Sequence, residues 1–174
     1  MSATGTAMAP APAPSAPANP ALVQEKIKLQ MRLRSGSGWF FAIALFSVIN
    51  SGLMLFNAKL HFIVGLGVTQ IADGIGKMGG VAGGIAGLVV SLFAAGLFSL
   101  FGKLSRDGHQ WAFIVGMVLY TLDGLIFLGF GLWLDLAFHA FALFNIYKGL
   151  SALNELNKLN SQPAAMAAAQ GTIG

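Results

Sequence analysis

Cysteine is absent, which removes disulfides, thiolate metal sites and cysteine nucleophiles from consideration and leaves the redox compartment open. Charge is scarce as well. Only 9% of the residues are Asp, Glu, Lys or Arg, against roughly 25% in a soluble domain, so the polar surface that would keep a domain of this length in water is missing. Catalytic and metal-binding patterns are lacking too. No H-E-x-x-H metal spacing and no G-x-S-x-G elbow occurs, and the serines of the apolar runs, Ser47, Ser51, Ser91 and Ser99, have no adjacent base. The chain reads as a non-enzyme that needs no metal and no cofactor.

What is present is apolar: 56% of the 174 residues are hydrophobic, and 23 are glycine. The fold class this implies is an all-α integral membrane protein, a small polytopic helical bundle. Four runs qualify as spans by comparison with the roughly 20 residues that cross hydrocarbon. Trp39 to Phe56 and Gly79 to Gly102 carry no charge, and Trp111 to Leu134 has a single ionisable group, Asp123. Leu136 to Leu150 is shorter and reaches spanning length if Lys148 snorkels to the interface. Trp39, Trp111 and Trp133 fall at span ends, where amphipathic rings prefer to sit.

Leu60 to Gly76 is a fifth helix that could cross, re-enter or lie flat; it is interrupted by Gly65, Gly67 and Gly74 and carries Thr69, Gln70, Asp73 and Lys77 on one side. An internal two-helix repeat would make it a span. FIVG at Phe62 to Gly65 recurs at Phe113 to Gly116, and Asp73-Gly74 recurs as Asp123-Gly124. Charge counting favours four crossings instead, because only Lys59 and Lys77 then lie outside.

The flanks are of different material. Residues 1–21 form a Pro/Ala-rich tail expected to be disordered, with no apolar region behind a basic start and hence no secretory-signal pattern. Residues 22–37 form a basic juxtamembrane helix or linker, opened by Asn19 as N-cap and Pro20 as first position. Its cations, Lys26, Lys28, Arg32 and Arg34, hold most of the formal charge of +4 and suit an anionic membrane surface rather than nucleic acid. They place the N-terminus on the cytoplasmic side of a cell or inner membrane. The bundle occupies 38–159. Residues 160–174 are an Ala-rich tail expected to be disordered, with Pro163 expected to stop the preceding helix.

Glycines at four-residue spacing, Gly76, Gly80, Gly84 and the pair Gly83 and Gly87, strip side chains from one face and let another backbone approach. That face meets a helix of the same chain, a second copy or another membrane protein. Gly74, Gly76 and Gly79 match G-x-G-x-x-G, but no strand precedes them, so the match carries no nucleotide meaning.

The intramembrane polar inventory is Asp123, His139, Asp73, Gln70 and Asn50. A carboxylate at mid-span costs roughly 2.5 to 3.5 kcal/mol, so Asp123 should face the bundle, carry its proton or meet a partner. His139 lies just across the turn from Trp133, within reach of the same depth. Two functions fit. The favoured one is a structural or accessory protein, a scaffold or subunit in which the polar groups order the bundle. The other is a small proton- or cation-handling transporter or channel using Asp123 with Asp73 or His139.

Overall fold

The computed structural model describes residues 19–55 and 66–171, with backbone alone at 54–55, 73, 77 and 163–171. Residues 1–18 of the tail expected at 1–21 and the FIVG segment at 62–65 lie outside the described residues, and Pro20 and Ala21 of that stretch belong to the first helix. Every described element is helical: α1 (Pro20–Leu55), α2 (Gly67–Met78), α3 (Gly80–Arg106), α4 (Gln110–Gly129) and α5 (Trp133–Gly171). Four of them, all but α2, are long and apolar enough to cross a membrane.

Local chemistry sets the ends. Asn19 opens α1, its Oδ1 accepting the Ala21 N–H at 3.0 Å, and Pro20 occupies the first turn, where its missing N–H costs nothing. The basic segment is continuous with the first apolar run, a single helix of 36 residues. α3 and α4 both close in the same way. Gly108 (φ 90) and Gly131 (φ 69) take the left-handed conformation, and the N–H groups of His109 and Leu132 reach back to the carbonyls of Leu104 and Phe127. Such six-to-one closures turn the chain sharply, so α3–α4 and α4–α5 are tight antiparallel hairpins. α5 continues to Gly171, past the stop expected at Pro163. The alanines after Pro163 are strong helix formers, and a proline forfeits one ladder bond rather than the whole helix.

α1 is the central element, packed against α3 on one side and α5 on the other. It runs antiparallel to both: Phe41 lies over Gly102 and Ser51 bonds Ser91, while Gly36 meets Gly149 and Lys26 donates to Asn160. Phe40 sits at the centre, wholly buried, with Phe98, Phe101 and Phe113 at ring-centroid distances of 6.0 to 6.3 Å. Glycine makes room for it, since a Cβ at Gly116 would lie 2.6 Å from the Phe40 ring. Beyond the apolar spans, α1 and α5 continue as a pair sealed by Leu29, Leu33, Leu153 and Leu156.

α2 is too short to span. Its 12 residues cover about 18 Å at 1.5 Å per residue, against about 30 Å of hydrocarbon. The proposed repeat would pair it with α4, which has 20 residues. The chain leaves α1 at Leu55, yet Leu66 lies two turns deeper, its N–H bonded to Ser47. From there α2 runs back outward and packs antiparallel on α3, where Gly76 and Gly83 touch backbone to backbone.

Candidate functional site

The start of α2 lies at mid-depth in the bundle, and a helix start has N–H groups with no partner in its own ladder. In an apolar interior each must be satisfied from elsewhere. Ser47 of α1 takes the Leu66 N–H at 2.9 Å while its own hydroxyl donates to the Ile43 carbonyl at 2.8 Å. Asp123 of α4 takes the next two: Gly67 N–H to Oδ2 at 2.7 Å and Val68 N–H to Oδ1 at 2.9 Å. One carboxyl therefore holds a helix start from another helix, where the peptide dipoles also favour negative charge. The Thr69 hydroxyl closes the turn by donating to the Leu66 carbonyl at 2.7 Å.

His139 of α5 completes the site. Its Nε2 lies 3.1 Å from Asp123 Oδ2, and its Nδ1 lies 2.9 Å from the backbone carbonyl of Asp135. A carbonyl only accepts, so Nδ1 carries a hydrogen and donates to it. The contact between Nε2 and Oδ2 then requires one proton between them, on the imidazole or on the carboxyl. In both forms the pair is neutral as a whole, which is how two ionisable groups 7% and 1% exposed are tolerated together.

Packing fixes the imidazole. Tyr120 stacks on it with centroids 4.2 Å apart and planes 17° from parallel, and Phe127 leans against it at 5.0 Å. Gly124 leaves the necessary space, since a Cβ there would sit 3.1 Å from the ring. Gly67 does the same beside Phe127.

Of the polar residues singled out from sequence, the structure brings Asp123 and His139 together. Asn50 is buried on α1 and is not a partner of Asp123. The Gln70 Nε2 is buried without a hydrogen-bond partner among the described residues. Asp73 lies on α2, with its side chain outside the described atoms. Among the glycines, Gly76 and Gly83 form the contact between α2 and α3, Gly84 borders it, and Gly87 is buried. Gly80 departs from the expected packing face: at φ 65 it makes the turn into α3, and a Cβ there would meet no other described residue within 4 Å. Lys28, Arg32 and Arg34 are exposed on α1, and Lys26 reaches Asn160 at 2.8 Å.

Sequence reasoning passed over the backbone donors of Gly67 and Val68, the anchoring role of Ser47 and the Tyr120 stack. Backbone groups carry no letter of their own. The one available signal was Gly65 and Gly67 flanking Leu66, where a helix start could have been placed. No group of three His, Asp or Glu side chains able to hold a metal occurs among the described residues. Comparison with known proteins adds nothing to this geometry: no family model, curated protein or solved structure matches the chain.

Proposed function

We propose that this chain is a proton-handling membrane protein that crosses the bilayer four times, with α2 as a re-entrant half-helix and the Asp123–His139 pair as its working centre. The observation that carries the reading is that one buried carboxyl both lies within hydrogen-bond distance of an imidazole and holds the start of a half-helix. Moving a proton between the two groups changes what the carboxyl can accept, so protonation and the seating of α2 are linked. Ionisable groups at such depth, and half-helix ends inside a bundle, mark the working sites of transporters.

Both termini belong on the cytoplasmic side. Eight of the ten cations, Lys26, Lys28, Arg32, Arg34, Lys103, Arg106, Lys148 and Lys158, fall at one end of the bundle, where Gly36 meets Gly149 and Arg106 covers Phe41. Exposed Val89, Phe93, Val118 and Phe144 on the outer faces suit contact with lipid.

A scaffold or accessory role is the second reading, favoured by the carboxyl already taking three nitrogen partners, enough to make it a structural clamp. Reconstitution in liposomes with an entrapped pH dye separates the two. Proton handling predicts flux in the native protein that is lost in His139→Gln and Asp123→Asn while both still unfold cooperatively in detergent. A clamp predicts a native protein no leakier than empty liposomes.

A further inference from the structure

Beside the start of α2, between α3 and α4, lies a cavity of about 360 Å³ whose walls include Leu66, Val90, Phe93, Ala94, Leu122 and Asp123. That size falls at the small end of ligand sites. Val90, Phe93 and Leu122 are themselves exposed on the outer face of the bundle, so the cavity communicates with the surface that the four-span reading gives to lipid. An occupant therefore enters from hydrocarbon and is mostly apolar.

Asp123 is the one polar residue in this wall among the described residues, and its hydrogen bonds define what it can recognise. Oδ2 is occupied by the Gly67 N–H and by His139, whereas Oδ1 takes only the Val68 N–H among the described residues. A carboxyl oxygen has two acceptor directions, so Oδ1 keeps one to spare. An incoming group must then donate. Carboxylates and phosphodiesters bring only acceptors and negative charge to a carboxyl and are rejected. A protonated amine can donate, but it meets a pair that is already neutral and the positive end of α2, with nothing left to balance its charge. A neutral hydroxyl meets neither obstacle.

We infer that this cavity is a binding site for a neutral, lipid-soluble alcohol, its apolar body between α3 and α4 and its hydroxyl donating to Asp123 Oδ1. The site needs no proton movement, so it stands or falls separately from the proton-handling reading.

The full chain in lipid nanodiscs, photolabelled with a diazirine-bearing dodecanol and mapped by mass spectrometry, tests it. Labelling is expected on α3 and α4 around Phe93, Leu97 and Leu122, and excess farnesol should suppress it at least tenfold while dodecane, dodecylamine and lauric acid do not. Ala94→Phe places a ring in the cavity and should abolish the labelling. Should that variant fail to fold, Leu122→Trp closes the mouth and is expected to reduce labelling at least fivefold. Competition by dodecane as effective as by farnesol, or undiminished labelling in whichever filled variant folds, would overturn the assignment.

Discussion

The imidazole of His139 lies flat on the ring of Tyr120, centroids 4.2 Å apart, while the Tyr120 hydroxyl itself has no hydrogen-bond partner among the described residues. The ring and the hydroxyl therefore have different value. Tyr120→Phe keeps the stack and removes an unpaired buried polar atom, so stability in detergent should change by less than about 1 kcal/mol. Tyr120→Ala opens a void beside the histidine and should cost roughly 3 to 5 kcal/mol. Thermal unfolding followed by circular dichroism distinguishes them, and equal losses in both would assign the hydroxyl a partner.

Ser47 is the second anchor of α2. Ser47→Ala strands the Leu66 N–H inside the bundle, and an orphaned buried donor costs roughly 1 to 3 kcal/mol. The loss should be local, appearing in hydrogen exchange as faster exchange at Leu66 and along α2 with α3 and α4 unchanged. Uniform acceleration throughout the bundle would mean that the hydroxyl supports the whole fold rather than the docking of α2.

The contacts of Gly36 with Gly149 and of Gly76 with Gly83 are backbone to backbone, so no side-chain rotation can relieve an added methyl. Gly149→Ala and Gly83→Ala should each destabilise the protein by about 1 to 3 kcal/mol through forced separation of helices. Leu92→Ala, at a position 51% exposed on the outer face, should cost less than either. A ranking with Leu92→Ala as the most damaging would place the α3 face against a partner instead of lipid.

These contacts show what was legible beforehand and what was not. Asp123 stood out because a carboxyl is rare in so apolar a run, and His139 because a short turn places it at similar depth. The short helix was visible as an apolar segment broken by glycines. Its start was obscured because Leu60 to Gly76 reads as one continuous run, and the groups that define the start are peptide N–H groups. Gly36 and Gly149 were invisible for a different reason. Each is isolated from four-residue spacing that marks the other contact, and they meet only because α1 and α5 run antiparallel. Gly80 misled in the opposite sense: it fits the spacing, but the chain uses it to turn.

The absence of native cysteine makes topology directly measurable. Single cysteines at Gln24, Gln110 and Ser161 should react with an impermeant maleimide from the cytoplasmic side, and one at Leu132 from the opposite side. All four positions are exposed. Labelling of Gln24 and Gln110 from opposite faces would add a crossing between α1 and α3 and remove the re-entrant placement of α2.

The proton shared by Asp123 and His139 is central to both the clamp and the proton-handling chemistry, and solid-state nitrogen NMR reads it at the atoms concerned. The chain has three histidines, so His139 can be assigned by comparison with His139→Gln. An Nδ1 that carries its hydrogen is expected both in the native protein and in Asp123→Asn, together with an Nε2 signal that moves when the carboxyl is replaced. An Nε2 signal unaltered by Asp123→Asn, or an Nδ1 without its hydrogen, would contradict it.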